Sequence, residues 1–342
     1  MSLDFDSLQD IAQAMTIKGK GILAADESNP TCKKRFDSIG VDSTEQNRNI
    51  YRDMLFTTKG MEEFISGVIL FDETIRQSTI KEGVPFPDFL SGLGVIPGIK
   101  VDAGAKHLSG TNDEKVTEGL DGLDDRLKEY YSLGARFAKW RAVITIGDSE
   151  PSGTCISANA HALARYASLC QKNGIVPIVE PEILMDGAHP IEDSFFVSEE
   201  VLHTVFYELY GQNVELEGMV LKPNMVLSGY NCPDQASVEQ VAELTVTVFK
   251  RSVPSAVPGI AFLSGGQSDE HATAHLNAMN QIIGDNSPWN LTFSYGRALQ
   301  APALKAWAGK DENISDAQEA FYKRAKLNSL ATKGDYSAGM ES

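Results

Sequence analysis

The sequence GMVLKP at residues 218–223 is a short apolar run that ends in lysine and proline. A residue that precedes proline is held in extended backbone angles, and proline offers no N–H to a sheet ladder. We therefore expect Lys222 on, or just past, the C-terminal part of a strand. Taken alone, the pattern also fits a lysine that leaves a strand into water, because most lysines are exposed. The residues that follow the other strands decide between these two interpretations.

Seven other short apolar runs recur along the chain, each followed by a polar or glycine-containing turn and then by a stretch with helix signals. They cover residues 21–25, 67–71, 96–99, 137–143, 175–179, 259–263 and 291–295. Apolar runs of this length without alternation are typical of parallel strands that are covered on both faces. Eight repeats of strand and helix in about 300 residues match the size of a (β/α)8 barrel.

The competing α/β architecture is an open, doubly wound sheet. The sequence lacks both of the phosphate-binding motifs typical of such sheets: Gly92-Leu93-Gly94 has no third glycine, and the glycines at 19 and 21 precede their strand. No linker or break in composition divides the chain. We therefore predict a single α/β domain, a (β/α)8 TIM barrel over residues 1–332, with a flexible C-terminal tail of small and polar residues over 333–342.

Helix signals fill several of the intervals between strands. An alanine-rich segment from Ser157 to Asn173 ends before Gly174, where a C-terminal glycine cap belongs. Ser198 and Ser237 are each expected to open a helix, and residues 315–330 have a helical pattern.

The composition excludes several classes of protein. The formal net charge of −17 argues against nucleic acid and anionic membranes as partners. The four cysteines are far apart, so we expect free thiols in a reducing compartment rather than a zinc site or a disulfide framework. The sequence also has no secretory signal and no apolar stretch of membrane-spanning length, which favours a cytoplasmic protein.

Polar, ionisable or glycine residues follow nearly every apolar run. In a barrel, catalytic groups come from the C-terminal ends of several strands. The residues at these positions are Asp26, Glu27, Ser28, Lys100, Asp102, Lys139, Arg141, Glu180, Glu182, Lys222, Ser264, Gly265, Gly266, Gly296 and Arg297. Ion pairs that merely fill the barrel are the alternative. They explain poorly why acids and bases from several strands meet at one rim, whereas a catalytic cavity explains it directly.

The fourth strand carries the sharpest signal. Phe137, Lys139 and Arg141 are two residues apart and so share one face of the strand. Two cations on an apolar strand are costly unless they are paired or face a polar cavity. Glu180 and Glu182 repeat this pattern on the fifth strand with the opposite charge.

These residue types suggest amine chemistry. If Lys139 and Lys222 are neighbours, the pKa of at least one of the two amines should be lowered. A neutral lysine amine attacks a carbonyl, and the resulting iminium stabilises an adjacent carbanion. Glu180 could move protons, because a buried carboxyl can alternate between acid and base, and Asp26 could take or hold a proton of a substrate hydroxyl.

Glycine-containing turns follow the last two strands. Ser264-Gly265-Gly266 and Gly296-Arg297 lie where barrels of this kind bind phosphate. Glycine permits close approach of a ligand to backbone N–H groups, and arginine adds a bidentate fork. A glycine pair alone is more often just a turn, so the interpretation depends on the two turns together. Ser28, Arg35 and Lys100 could hold a second anion across the mouth.

Two features of the sequence resemble functional sites, but the residues around them do not support that interpretation. His271 and His275 could share a helix face as metal ligands. No glutamate lies between them in the H-E-x-x-H arrangement, and no third ligand is near. We expect a solvated helix face here, and we predict no metal and no cofactor. Trp140 and Trp307 are expected in the core or the cavity wall.

Seven blocks of the sequence closely resemble class I fructose-bisphosphate aldolase, the metal-independent Schiff-base type. They are residues 21–28 (GILAADES), 99–102 (IKVD), 137–141 (FAKWR), 174–184 (GIVPIVEPEIL), 221–225 (LKPNM), 262–268 (FLSGGQS) and 293–300 (FSYGRALQ). The resemblance implies a (β/α)8 barrel, usually a homotetramer. Such an enzyme reversibly cleaves fructose 1,6-bisphosphate to dihydroxyacetone phosphate and glyceraldehyde 3-phosphate in glycolysis and gluconeogenesis.

The resemblance also implies roles for the matching residues. Lys222 looks like the Schiff-base lysine, Glu180 like the general acid/base, and Lys139 like an assistant in imine formation. Asp26 is similar to the carboxylate that acts on the C4 hydroxyl. Two residues resemble supports that set the charge of the lysines, Arg141 and Glu182. The C1-phosphate site is implied for Ser264, Gly265, Gly266, Ser294, Gly296 and Arg297. The opposite, C6-phosphate site is implied for Ser28, Thr31, Arg35 and Lys100.

The sequence departs from the family pattern at two places. Asn29-Pro30-Thr31 replaces Thr-Gly-Ser of better-known members, which keeps a hydroxyl but alters the loop. Vertebrate members end in a tyrosine that helps proton transfer at the carbanion, whereas this chain ends in Ser342. Either Tyr336 substitutes or another group or water does so, and we expect the second.

Two other functions compete with the first. One is a preference for sedoheptulose 1,7-bisphosphate, which has the same reacting carbons and two phosphates. The other is an inactive barrel that acts as a binding scaffold. The scaffold predicts the loss of at least one of four residues, Lys222, Glu180, Lys139 and Asp26, and all four are present.

Overall fold

The computed structural model describes residues 5–342, apart from the side chain of Asp285. This part of the chain contains ten β-strands. They are β1 Gly21–Ala24, β2 Ile65–Leu70, β3 Ile96–Lys100, β4 Ala105–His107, β5 Lys115–Thr117, β6 Phe137–Ile144, β7 Val176–Ile183, β8 Val220–Leu221, β9 Gly259–Phe262 and β10 Asn290–Tyr295.

Eight of these strands close into a parallel barrel, in the order β1-β2-β3-β6-β7-β8-β9-β10, and β10 pairs back to β1. The remaining two, β4 and β5, form an antiparallel hairpin after β3. The predicted (β/α)8 barrel is confirmed, and each of the eight apolar runs contributes one of its strands. The open doubly wound sheet is excluded, because that architecture would leave two unpaired edges.

Twelve α-helices lie in the same residues. They are α1 Leu8–Met15, α2 Asn29–Asp37, α3 Glu45–Phe56, α4 Asp72–Ile75, α5 Phe86–Gly92, α6 Leu123–Ser132, α7 Gly153–Lys172, α8 Ile191–Gly211, α9 Val238–Ser252, α10 Asp269–Ile283, α11 Arg297–Trp307 and α12 Ile314–Ala331. Short 3-10 turns cover Met61–Glu63, Leu216–Gly218, Gly284–Asn286, Asp311–Asn313 and Ala338–Met340. No helix among residues 5–342 combines the length and apolar character needed to span a bilayer.

Of the two serines predicted to open a helix, Ser237 does so and Ser198 does not. Ser237 caps α9 through a capping box with Gln240, as its sequence position predicted. The expectation that Ser198 opens a helix is wrong, because α8 already begins at Ile191 after Pro190. Proline fits just before a helix, and acidic side chains follow it in the first turn, so the helix starts there and buries Ser198 inside.

Apolar side chains fill the amino-terminal half of the barrel. Phe137 packs so closely over β3 that a Cβ on Gly98 would overlap its ring. Helix α1 adds Ile11, Ala12 and Met15 to this cluster. The other members are Ile22, Ala24, Ile69, Ile96, Val176, Ile178, Val220 and Ala261. This end of the barrel is therefore filled by apolar side chains.

A larger apolar layer lies between the strands and the surrounding helices. Trp140 and Trp307 are fully buried in it, which confirms their prediction as core residues. All four cysteines are buried and free.

The C-terminal residues pack against the outer helices. The Tyr336 backbone N–H donates to Asn277 Oδ1 of α10 at 2.9 Å, and its hydroxyl donates to Glu341 Oε1 at 2.8 Å. Arg324 of α12 pairs with the same carboxylate at 2.6 Å. The flexibility of residues 333–342 and the division at residue 332 stay predictions.

Candidate active site

A cavity of about 910 Å³ lies at the carboxyl ends of the barrel strands. Every catalytic, phosphate-binding and supporting residue named from the sequence lines it. The cations around it are Lys34, Arg35, Lys100, Lys139, Arg141, Lys222 and Arg297. Six carboxylates line it too, those of Asp26, Glu27, Asp102, Glu180, Glu182 and Asp186. In a chain of net charge −17, a cavity whose cations outnumber its carboxylates can hold an anionic ligand.

Lys222 follows β8 directly, as its position before proline predicted. Its backbone N–H donates to the Val179 carbonyl of β7 at 2.8 Å, so the lysine is fixed at the edge of the cavity by the sheet itself. The side chain is buried, with 4% of its surface exposed. The interpretation as a lysine that leaves its strand into water is therefore excluded.

Four ionisable side chains form a continuous series of opposite charges. Lys222 Nζ lies 3.3 Å from Glu180 Oε1, and Lys139 Nζ lies 3.3 Å from Glu180 Oε2. Lys139 Nζ also lies 2.7 Å from Asp26 Oδ2. The register of β6 and β7 brings these groups together. Arg141 of β6 is paired with Glu180 of β7, and Lys139, two residues before Arg141, lies on the same face of β6. One carboxylate therefore connects the two amines.

The charges in this series perturb one another strongly. Burial lowers the pKa of Lys139, but the opposing charges of Asp26 and Glu180 outweigh it, and the net shift is upward. Burial raises the pKa of Asp26, but Lys139 and Lys222 outweigh it, and the net shift is downward. The lowered pKa expected for at least one of the two amines is therefore not that of Lys139, since two carboxylates surround its ammonium group.

Arg141 and Glu182 lie beside this series and bond each other. The Arg141 Nε–H donates to Glu182 Oε2, and the Arg141 backbone carbonyl accepts from the Thr117 hydroxyl at 2.7 Å. Burial lowers the pKa of Arg141, but Glu182 outweighs it and raises the pKa. Because Arg141 pairs with Glu182, the neighbouring carboxylate of Glu180 pairs, among the described residues, with the two lysines alone.

The turn after β9 presents free backbone donors to the cavity. Gly265 and Gly266 have φ of +57° and +88°, which favour glycine, and a Cβ on Gly266 would overlap the Tyr230 hydroxyl. Among residues 5–342, no group accepts from the N–H of Gly265 or of Gly266. The Ser264 side chain is buried beside them. The predicted phosphate-binding turn therefore has the geometry of an anion site.

The neighbouring β10–α11 junction supplies further donors. Helix α11 begins at Arg297, so its N-terminal N–H groups face the cavity beside Gly296. A helix N-terminus favours an anion through these N–H groups and through its dipole. Ser294 Oγ is buried and has no hydrogen-bond partner within the described residues. An oxygen of a bound ligand would satisfy this hydroxyl.

The other predicted anion site lies at the ends of β1 and β3. Ser28 Oγ and Thr31 Oγ1 are 3.1 Å apart at the start of α2, so the Asn-Pro-Thr departure keeps two hydroxyls together. Lys100 Nζ lies 2.8 Å from Asp102 Oδ1. These groups face the cavity with the phosphate-binding turns, as expected.

Arg35 lies closer to the first anion site than the sequence suggested. A Cβ on Gly296 would be 3.7 Å from Arg35 Nη2, so the guanidinium borders both groups of anion-binding residues. The Arg35 guanidinium donates to Glu27, whose second oxygen lies 2.6 Å from Arg52 Nη2. Gln300 Nε2 also donates to Glu27 at 2.9 Å. This buried network fixes the direction of Arg35.

Several cavity residues were not selected from the sequence. Glu27 and Asp102 were recognised among the strand-end residues but were given no role in catalysis or binding. Tyr230 had no local signal, since it lies in the long segment between β8 and α9. Lys34 and Asp186 also line the cavity and lie in loops or helices outside the strand ends.

The histidine pair differs from its prediction. His271 is exposed, but His275 is buried, so the expected solvated face is wrong for His275. Helix α10 turns that position towards the barrel, where His275 contacts Gln267. The described residues contain no group of His, Cys, Asp and Glu side chains that could hold a metal ion.

The family follows from a comparison with known proteins. A family model described as fructose-bisphosphate aldolase class-I matches residues 7–342. The chain belongs to the class I fructose-bisphosphate aldolase family. A Xanthomonas axonopodis pv. citri protein named probable fructose-bisphosphate aldolase class 1 is 58% identical over 336 residues, which cover 98% of this chain and 99% of that protein.

Members of this aldolase family from distant organisms are similarly close. Fructose-bisphosphate aldolase 4, cytosolic, from Arabidopsis thaliana is 57% identical over 318 residues, which cover 93% of this chain and 80% of the plant protein. A solved structure of fructose-bisphosphate aldolase from Plasmodium falciparum, in complex with TRAP and a small molecule inhibitor, is 51% identical. The match has a TM-score of 0.95 and covers 99% of this chain and 98% of that one.

Proposed function

We propose that this chain is a lyase that reversibly cleaves fructose 1,6-bisphosphate to dihydroxyacetone phosphate and glyceraldehyde 3-phosphate in glycolysis and gluconeogenesis. The observation that carries the proposal is the buried Lys222 amine, 3.3 Å from Glu180, in a cavity with anion-binding groups on two sides. A sugar bisphosphate has a phosphate for each side and a carbonyl between them. No metal or organic cofactor has a step in this mechanism.

The first step forms the Schiff base at Lys222. The neutral amine attacks the C2 carbonyl, and the carbonyl oxygen takes up a proton to give a carbinolamine. Glu180 accepts a proton from the Lys222 ammonium group and returns one to the carbinolamine hydroxyl, which leaves as water. Lys139 pairs with two carboxylates and keeps its proton, so it is the poorer nucleophile and acts by holding Asp26 and Glu180 in place.

The second step breaks the bond between C3 and C4. Asp26, held as a carboxylate by the neighbouring lysines, takes the proton of the C4 hydroxyl. The electron pair of the C3–C4 bond moves into the iminium and forms an enamine on Lys222, while C4 becomes the aldehyde of glyceraldehyde 3-phosphate. Protonation of the enamine at C3, followed by hydrolysis of the iminium, releases dihydroxyacetone phosphate and restores the amine.

The proton for C3 comes from a group at the cavity or from water rather than from Tyr336. The hydroxyl of Tyr336 bonds Glu341, and its ring is buried next to α10. The cavity is lined by residues up to Arg297 and by none of the described tail. Glu180 Oε1, 3.3 Å from Lys222 Nζ, lies close enough to the Schiff-base nitrogen to supply or relay the proton.

The two anion sites orient the substrate. The turns after β9 and β10 bind the C1 phosphate next to Lys222, and Ser28, Thr31 and Lys100 bind the C6 phosphate. Arg35 lies between the sites and can contact either phosphate. This arrangement gives each end of a sugar bisphosphate a set of anion-binding groups, with Lys222 between them.

An assay of fructose 1,6-bisphosphate cleavage with EDTA present tests the function. We expect full turnover in EDTA, and a kcat/KM for sedoheptulose 1,7-bisphosphate that does not exceed the value for the six-carbon substrate. Loss of turnover in EDTA would contradict the Schiff-base mechanism. A large preference for sedoheptulose 1,7-bisphosphate would change the assigned substrate but not the Schiff-base mechanism. Absence of all cleavage would favour the alternative of an inactive barrel that acts as a binding scaffold.

We also propose a cytoplasmic homotetramer. Phe196, Tyr207 and Tyr210 are exposed on one face of α8, and such a row of aromatic side chains is typical of a protein contact. Light scattering of the purified chain should give a tetramer, and Tyr207→Lys with Tyr210→Lys should give smaller species. A monomer in the unmodified chain would contradict the proposal. Fractionation of cells should place the protein with soluble cytoplasmic enzymes.

A further inference from the structure

Side-chain hydrogen bonds hold two carbonyl groups of the phosphate-binding turn, those of Ser264 and Gly265. The Ser264 carbonyl accepts two hydrogen bonds from Gln267, one from its backbone N–H and one from its side-chain Nε2, each at 3.0 Å. The Gln267 side chain is buried, and Tyr230 donates its hydroxyl to the Gly265 carbonyl from the opposite side. The turn is therefore fixed at two successive carbonyls.

The orientation of Gln267 is fixed in turn by His275. Its Nδ1 lies 2.6 Å from Gln267 Oε1, and both side chains are buried. Because the Ser264 carbonyl can only accept, the nitrogen of the Gln267 amide must face it. The amide oxygen then faces His275 and accepts a hydrogen bond from the Nδ1–H group. Nδ1 of His275 therefore carries a hydrogen. Two successive hydrogen bonds, from His275 to Gln267 and from Gln267 to the Ser264 carbonyl, connect α10 to the turn.

His275 is uncharged under ordinary conditions. Burial, followed by the nearby His271, lowers its pKa to about 4, against a smaller opposing effect of Glu239. A neutral imidazole with a proton on Nδ1 donates a single hydrogen bond in this direction. It adds no charge to the phosphate site, so its contribution is geometric.

We propose that His275 is a positioning residue for the phosphate-binding turn, acting through Gln267 on the Ser264 carbonyl. The proposal rests on the proposed function of this turn as a phosphate site. Removing the His275 donor leaves the buried Gln267 oxygen without a partner, so the amide rotates and the Ser264 carbonyl loses its side-chain hydrogen bond, keeping only the one from the Gln267 backbone N–H. The N–H groups of Gly265 and Gly266 then lose their common direction, and binding of the phosphate becomes weaker while the Schiff-base chemistry at Lys222 continues.

Two substitutions of His275 separate the donor from the volume of the ring. His275→Asn keeps an N–H donor on the atom attached to Cγ, and His275→Leu keeps the bulk but removes the donor. For His275→Leu, we expect the KM for fructose 1,6-bisphosphate to rise about 3- to 10-fold with kcat within twofold. For His275→Asn, both constants should stay within twofold of the unmodified enzyme. An unchanged KM in His275→Leu, or an equal rise in both variants, would overturn the proposal.

If His275→Leu folds poorly, a substitution of Gln267 tests the same hydrogen bond from the other partner. Gln267→Met keeps the length of the side chain and removes the amide, so it should raise KM by a similar factor. Because both residues act in one series, the double variant should bind no more weakly than Gln267→Met alone. Additive effects of the two substitutions would overturn the proposal.

Titration with inorganic phosphate separates this proposal from the proposed function. All variants carry Lys100→Met in this experiment, so that binding at the other anion site is reduced. We expect phosphate to bind about 3- to 10-fold more weakly to the His275→Leu protein than to its parent, and equally well to His275→Asn. Cleavage is assayed separately in the unmodified chain, which keeps Lys100. If that chain cleaves no sugar bisphosphate while the Lys100→Met parent binds phosphate, the proposed function fails and the affinity ratio still decides the role of His275. Equal affinity in all three would overturn that role.

Discussion

The two ends of the barrel are made by the same eight strands and differ completely in chemistry. At the amino end, Met15 of α1 and Phe137 of β6 pack in a cluster of buried, mostly aliphatic side chains. At the carboxyl end, two residues further along β6, Lys139 lies among carboxylates and is almost as deeply buried. Within one strand, the chain therefore changes from apolar packing to a buried ionic series.

This difference separates stability from reactivity. Apolar packing stabilises a fold through burial alone, whereas buried charges need partners to offset their lost hydration. The series from Lys222 through Glu180 and Lys139 to Asp26 gives each charge an opposite neighbour. The amino end should consequently determine the free energy of unfolding, and the carboxyl end should determine turnover.

The largest effect should come from Lys222→Met at the carboxyl end. Without the amine no Schiff base forms, so kcat should fall on the order of 10⁴-fold or more. The melting temperature should stay close to that of the unmodified enzyme, since methionine fills much of the same volume. Lys305→Met on the outside of α11 serves as the control and should keep full activity. Turnover by Lys222→Met within tenfold of normal would contradict the assignment.

Glu180→Gln should have the next largest effect. The amide keeps the shape of the side chain but cannot accept the proton of Lys222 or return one to the carbinolamine, so kcat should fall about 10²- to 10⁴-fold. Single-turnover kinetics should show the loss in formation of the imine rather than in substrate binding. A fall in affinity with normal kcat would assign Glu180 to binding instead.

Met15→Ala tests the amino end directly. Removing this buried side chain should lower the free energy of unfolding by about 2–5 kcal/mol, measured by urea denaturation. Because α1 does not reach the cavity, kcat/KM of the folded protein should stay within twofold. If activity falls in step with stability, the two ends are not independent.

These comparisons also indicate what could be predicted from sequence. The eight strands and the rim residues were predictable, because unalternating apolar runs and the ionisable residues after them are local patterns. Burial of His275 was not, since spacing on a helix does not reveal which side packs on the barrel. Tyr230 was missed for a related reason: the path of the segment after β8 depends on tertiary contacts. The early start of α8 was missed because Ser198, followed by two glutamates, has the sequence pattern of a helix N-cap.

Acid should affect the carboxyl end before the amino end. The folded-state pKa of Asp26 lies below its usual value of 3.8, so its ionised form stabilises the fold above that pH, and this contribution is lost as the pH falls further. Between about pH 5 and pH 2, unfolding free energy should fall less steeply in Asp26→Asn, by on the order of 2 kcal/mol. Met15→Ala should keep the slope of the unmodified protein. Equal slopes in all three would contradict the predicted ion pair.

The smallest effect is expected from Tyr336→Phe in the C-terminal segment. Loss of its hydrogen bond to Glu341 should lower the free energy of unfolding by about 1–2 kcal/mol. The rate of carbanion protonation, followed as hydrogen exchange at C3 of dihydroxyacetone phosphate, should stay unchanged. A tenfold slower exchange would show that Tyr336 takes part in the reaction.

The most direct test of the account is to trap the Schiff base. The protein is incubated with dihydroxyacetone phosphate in the presence of EDTA, reduced with borohydride and digested, and the adduct is located by mass spectrometry. We predict a single modified lysine, Lys222, with Lys139 unmodified. An adduct on Lys139, or an adduct that disappears when EDTA is added, would contradict the central claim that the buried amine after β8 is the nucleophile.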